Sequence, residues 1–151
     1  MEINGVAHVI LTVRDMAVSG RFYRPLLQHM GLTQVVDQAE YLYYVGGRTA
    51  VGLRPASPEL AAEGFVQGRC GLHHVCLRAR SREDVDSVHT LLLELDATVV
   101  HAPREEGWVP GYYSVLFEDP DGIRLEVNYV PGKGVFAPDV ERKDSAAARA
   151  G

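Results

Sequence analysis

The sequence predicts an α+β fold made of two βαβββ modules. Three observations carry that prediction. An alternating apolar run is followed by an amphipathic helix and three short strand-like runs; the same programme recurs in the second half; and Asp119-Pro120-Asp121-Gly122 forms a strong tight-turn signal between the last two runs. Laying Gly5-Val6-Ala7-His8 over Gly71-Leu72-His73-His74 sets the modules 66 residues apart. With 151 residues the chain can bury one good core, or two small units sharing one, but not two full-sized domains.

Each element has a local reason. VAHVILTVRDM alternates into the first strand, and SGRFYRPLLQHMGL carries apolar residues at helical spacing, Phe22, Leu26, Leu27 and Met30, before a stop at Gly31. TQVVDQ, EYLYYVGG and RTAVGLRPA read as three strands separated by turn residues. The second pass opens with LHHVCLRAR as strand and SREDVDSVHTLLLELD as helix, in which Ser81 and Asp84 make a capping-box variant. ATVVHAP, GYYSVLFED and GIRLEVNYV complete it, and Ala97 takes the place of Gly31 at the helix end. The expected organisation is a single domain over 1–131, with module one at 4–56, a Pro/Ala/Gly-rich linker at 57–69 with one helical turn, and module two at 70–131; 132–151 reads as a tail.

Composition narrows the function. Twenty acidic residues outnumber fifteen basic ones, and no basic run exists to attract nucleic acid or an anionic membrane. No apolar stretch approaches the ~20 residues of a bilayer span, and MEINGVAHVI lacks the features of a signal peptide, so a cytoplasmic protein is expected. Cys70 and Cys76 are expected to remain reduced thiols.

Two adjacent histidines stand at the head of the fifth strand run. Strand alternation would send them to opposite faces, and the repeat matches His8 with His74, leaving His73 to face away and fix the strand start. His74, Cys76 and Arg78 would then share a face, as would His8, Ile10 and Thr12. Glu126 sits mid-strand between Leu125 and Val127, where a carboxylate needs a partner. Two imidazoles and one carboxylate, all on strands, suit a divalent transition metal. Fe2+ or Mn2+ match this donor set best, with Zn2+ and Ni2+ also compatible.

The chain resembles the vicinal oxygen chelate superfamily of glyoxalase I, extradiol dioxygenases and bleomycin-resistance proteins. The resemblance rests on GVAHVILTVRDM, FYRPLLQHMGL, GLHHVCLRA and FEDPDGIRLEV, and covers about residues 4–130. It implies that the modules curl as mixed sheets around a cleft, with a metal held by His8, His74 and Glu126. The family's fourth ligand position falls at Gly52, which has no donor side chain, so the implied site has three protein ligands. The resemblance further implies a small-molecule substrate bound through vicinal oxygens, dioxygenase or lyase/isomerase chemistry, and a homodimer. A non-catalytic drug- or metabolite-binding protein of the bleomycin-binding type is the alternative.

Around the ligand set, Glu126, Tyr112 and His101 are candidates for proton transfer. Arg78, Arg54, Tyr112, Ser114 and Trp108 are candidates for contact with substrate: the arginines because a charge on such a face needs solvent or an anion, Tyr112 and Ser114 by likeness to the thiol-transferase branch of the family, and Trp108 because its loop could close over the cleft.

Overall fold

The computed structural model describes residues 2, 3 and 5–132. By its contacts the chain divides into two units, one reaching to Arg69 and taking in Asp119–Ile123, the other made of Cys70–Glu118 and the residues from Arg124 on. Beyond Gly132, the expected tail lies outside the described residues. The βαβββ order predicted from the repeat is present in both halves, as two four-stranded mixed sheets.

In the first unit, β1 (His8–Val13), α1 (Met16–His29), β2 (Thr33–Gln38), β3 (Tyr41–Gly46) and β4 (Thr49–Pro55) form a sheet of order β1-β4-β3-β2, with β1 parallel to β4. Period-two alternation gathers Leu11, Val13, Leu42, Tyr44, Val51 and Leu53 on one face. Against it α1 buries Phe22, Tyr23, Leu26 and Leu27. The helix starts before the SGRFYRPLL pattern because its cap is Asp15, whose carboxylate accepts from the backbone N–H groups of Ala17 and Val18 at 2.7 and 3.0 Å. It ends where Gly31 adopts φ +78° and the Leu32 N–H bonds back to the Leu27 carbonyl. The linker's helical turn is a 3-10 turn at Ala61–Glu63.

In the second unit, β5 (Val75–Arg78), α2 (Arg82–Glu94), β6 (Thr98–Glu105), β7 (Tyr113–Glu118) and β8 (Arg124–Tyr129) repeat the plan in the order β5-β8-β7-β6. Its apolar face carries Leu77, Val115, Phe117, Leu125 and Val127, and α2 presents Val85, Val88 and Leu92. The capping box is formed: Ser81 Oγ accepts from the Asp84 N–H at 3.1 Å, and the Asp84 carboxylate accepts from the Ser81 N–H at 3.0 Å. Such a cap stabilises a helix by about 1 kcal/mol. At the other end the left-handed residue is Asp96 at φ +53°, not Ala97, whose N–H instead bonds the Leu92 carbonyl. Aspartate tolerates that conformation better than most side chains.

The Asp-Pro-Asp-Gly turn groups with the first unit. Asp119 is buried; its Oδ1 accepts from the N–H groups of Asp121 and Ile123 at 2.9 and 2.8 Å, and its Oδ2 accepts from the Tyr23 hydroxyl at 2.8 Å. Asp121 in turn accepts from the Arg14 N–H at 2.9 Å. Burial raises the Asp119 carboxyl above its usual value of 3.8, against the lowering effect of these hydrogen bonds. The folded chain therefore binds a proton more readily here than the unfolded one. The stability this group contributes is complete below 3.8 and is lost as pH rises through the folded value. An Asp119→Asn variant keeps an acceptor for the turn without the titration. Wild type should gain stability relative to that variant as pH is lowered from about 7 to about 3, read by urea unfolding at each pH. A pH-independent difference would contradict the assignment.

Candidate metal centre

The register of the second sheet decides which side chains meet. β5 and β8 run parallel with Cys76 opposite Glu126 and Arg78 opposite Asn128. β7 continues the rows, placing Leu116 opposite Glu126 and Ser114 opposite Asn128, and β6 places His101 opposite Leu116. Paired residues share a face, so Cys76, Glu126, Leu116 and His101 form one row on the side away from the apolar face. His101 stands two strands from Glu126, roughly 10 Å by strand spacing.

Glu126 is the centre of this row. It is 8% exposed, and a carboxylate so buried must have partners. Its Oε1 accepts from the Tyr112 hydroxyl at 2.7 Å, and its Oε2 lies 3.3 Å from Nε2 of His74. Tyr112 is not on β7; it ends the loop before that strand, where its carbonyl accepts from the Glu106 N–H at 2.7 Å and its N–H donates to Val109. Burial first, then the bond to Glu126, raises the Tyr112 hydroxyl far above its usual value, so it stays a protonated donor. Burial of the sulfur, then the charge of Glu126, pushes the Cys76 thiol up to about 12, although the residue keeps an exposed flank. Cys76 therefore rests as a neutral thiol.

The two histidines do not face apart. Their Nδ1 atoms are 2.7 Å from one another, with the rings edge to face at 5.0 Å. The reason is local: β5 begins only at Val75, so residues 72–74 lie outside the ladder and alternation does not govern them. They follow Gly71 at φ +149°, a value that favours glycine. His74 reaches Glu126 as expected, and His73 comes with it.

The remaining candidates lie in different settings. Arg78 donates to the carbonyls of Val130 at 3.0 Å and Gly132 at 3.4 Å, and so fastens the end of β8. His101 has Nδ1 3.1 Å from the Ala102 carbonyl and Nε2 3.7 Å from Glu106, which Arg104 also contacts. Ser114 is fully buried on β7, and its Oγ has no hydrogen-bond partner among the described residues. Trp108 is 46% exposed on the 106–112 loop. In the first unit, His8 opens β1 as an exposed residue opposite Ala50, and the Arg54 guanidinium lies 4.8 Å from the centre of the Tyr41 ring. Also in that unit, a cavity of about 230 Å³ lies among Thr12, Arg14, Leu60, Phe65 and Asp121, and contains none of the predicted residues.

The sequence profile of the Glyoxalase/Bleomycin resistance protein/Dioxygenase superfamily matches residues 5–127. The chain belongs to that superfamily. A Bacillus subtilis relative, the uncharacterized protein YqjT, is 26% identical over 121 residues, which cover 80% of this chain and 94% of the relative. The glyoxylase/bleomycin resistance protein/dioxygenase domain of Frankia sp. EAN1pec superposes with a TM-score of 0.68 at 26% identity, covering 85% of this chain and 98% of that domain. A Bacillus halodurans chain superposes with a TM-score of 0.73 at 24% identity, covering 84% of this chain and 96% of the other.

Members of the glyoxalase superfamily generally hold a divalent metal ion. Among the described residues of this member, no group of three or more His, Cys, Asp and Glu side chains is gathered that could hold one. Two donors are gathered in the second unit. Two atoms bound cis or tetrahedrally to one ion at ~2.1 Å stand about 3.0–3.4 Å apart. The 3.3 Å between His74 Nε2 and Glu126 Oε2 falls in that range and is equally the distance of a hydrogen bond between them, so two donors of such a site are gathered and a third is not.

Gly52, where the resemblance implies a fourth ligand position, has neither a donor nor room for one. Gly52 pairs with Ile10, as Glu126 pairs with Cys76. A Cβ on Gly52 would meet Ile10 Cδ1 at 2.7 Å and Tyr43 Cδ2 at 2.9 Å. This glyoxalase-superfamily chain fills that place with wall. Two outcomes are expected. Gly52→Ala forces Ile10 and Tyr43 aside and should lower stability by about 1–3 kcal/mol in urea unfolding. Tyr112→Phe leaves Glu126 Oε1 short of its donor and should cost about 1–3 kcal/mol by the same measurement, without loss of the native far-UV spectrum.

Proposed function

We propose that the chain is a metal-dependent enzyme of the glyoxalase/extradiol dioxygenase type, acting on a small substrate that binds through two vicinal oxygens. The observation that carries this reading is the donor pair His74 Nε2 and Glu126 Oε2 at metal-ligand separation. His8 is proposed as the third ligand, from this chain or from a partner copy in a homodimer. When bound, the ion supplies Lewis acidity for the charge that develops on the substrate oxygens. Fe2+ and Mn2+ suit two imidazoles and a carboxylate with open positions; Zn2+ and Ni2+ are also compatible.

The chain's own residues have distinct tasks in this scheme. Tyr112 holds Glu126 through Oε1, which turns Oε2 toward His74. His101, backed by Glu106 on the same face as Glu126, is the proton acceptor that the sheet offers away from the ligands. Ser114, with a buried hydroxyl that lacks a partner among the described residues, is assigned to substrate. Arg54, Trp108 and Arg78 are assigned to the substrate side on the same reading, Arg78 with two carbonyls already in its reach.

The absence of a donor at Gly52 favours, as a second reading, a protein that binds a drug or metabolite without turnover. Metal analysis separates the two. The purified full-length protein should carry or take up one equivalent of Mn2+, Fe2+, Zn2+ or Ni2+ and gain thermal stability from it. His74→Ala and His8→Ala should both lose that uptake. Wild-type protein that takes up none of the four ions supports the binding reading instead.

A further inference from the structure

We propose that the face of the first sheet turned away from α1 holds a binding site for a planar aromatic carboxylate, with Tyr41 and Tyr43 as its shelf and Arg54 as its anion contact. All of these residues belong to the first unit, and the contacts need no metal, so the proposal stands or falls separately from the metal-dependent reading above.

The register builds the shelf. Ile10 and Tyr43 both pair with Gly52, so the three share one row, and Thr12 pairs with Arg54 further along the same face. Alternation sets this face opposite the one that carries Leu11, Leu42 and Leu53. Gly52 makes room on it: Tyr43 Cδ2 lies 2.9 Å, and Ile10 Cδ1 2.7 Å, from where a Cβ would stand. Tyr41, two residues before Tyr43 on β3, stacks on it with ring centres 5.6 Å apart and planes 28° from parallel. The Arg54 guanidinium carbon lies 4.8 Å from the centre of the Tyr41 ring. From Ile10 through the two rings to Arg54, the contacts therefore grade from apolar to cationic.

Charge and exposure name the occupant. Both tyrosines are half-buried, and Ile10 and Arg54 are exposed, so the shelf presents apolar surface that gains from being covered. Among the described residues Arg54 has no carboxylate partner; a ring face is what it packs against. A guanidinium packed on a ring keeps its in-plane N–H donors, and their fork matches a carboxylate. A flat aryl carboxylate answers both demands, placing its anion on Arg54 and its ring on the tyrosines. A saturated acid lacks the π face, and an uncharged arene leaves the cation unanswered.

The probe is 2-naphthoate, titrated into metal-free full-length protein in the presence of EDTA and followed by calorimetry and by amide nitrogen–proton spectra. Binding should saturate, with shift changes concentrated at residues 10–12, 41–43 and 52–54. The amide 2-naphthamide should bind about tenfold more weakly, and the saturated decalin-2-carboxylate about 2–10-fold more weakly. Arg54→Gln should weaken 2-naphthoate about tenfold and leave 2-naphthamide unchanged, a split that general damage to the fold does not produce. Tyr43→Leu should weaken both ligands about 2–10-fold. Absence of binding, shift changes confined to other strands, or equal losses for both ligands in Arg54→Gln would each overturn the proposal. So would a dimer in sedimentation that Arg54→Glu dissociates while 2-naphthoate fails to bind, since the face would then be a contact between copies. None of these results bears on metal uptake, which is measured separately.

Discussion

The constraint on which the architecture depends is the parallel pairing of the first and last strands of each module. Parallel neighbours cannot be joined by a tight turn and need a long crossover, which here runs through a helix and two further strands before the chain returns. That detour has two consequences. It supplies the helix that covers the apolar face, and it brings residues some fifty positions apart into adjacent rungs, as with Cys76 and Glu126. The polar row across the second sheet follows from this one register. A slip of a single residue would exchange Glu126 for Leu125 or Val127 and turn the carboxylate into the core beneath α2.

Burial gives the row its chemistry. Glu126 sits where an ionised group is costly, and that cost is offset by the Tyr112 hydroxyl on one oxygen and the His74 imidazole facing the other. The same surroundings keep the Tyr112 and Cys76 protons in place. The corresponding rung of the first sheet has no carboxylate: Ile10 and Tyr43 close over Gly52. At this rung two modules with one backbone plan thus diverge, one into polar side chains and the other into packing.

Much of this was legible in the residues. Helices and strands follow from apolar spacing, and Glu126 from a carboxylate set mid-strand between apolar neighbours. The choice of His74 follows from the repeat, which matches it with His8, and its company with Glu126 from the family resemblance. What misled was the assumption that a run of strand-like residues is a strand along its whole length. LHHVCLRAR enters the ladder only at Val75, so alternation assigned His73 to the wrong side. A glycine just before the pair was the available warning. The bond from Tyr112 to Glu126 spans a loop whose path depends on Val109 and Glu106, and no local periodicity encodes it. Likewise Arg78 looked like an unsatisfied charge because its partners are backbone carbonyls, which a side-chain pattern does not display.

The Asp119–Ile123 turn bears on the order in which the protein can be made. Tyr23 is buried in the first unit, yet its hydroxyl finds its acceptor in Asp119, 96 residues further along the chain. As the chain emerges from a ribosome, the first ~70 residues can form their sheet and helix but must wait for nearly the whole second module before that phenol is satisfied. The halves look like a duplication that could be separated at the linker, but the closing turn of one is a structural part of the other. Circular permutants or split fragments cut near residue 69 would therefore have to carry residues 119–123 with the N-terminal piece for its core to close.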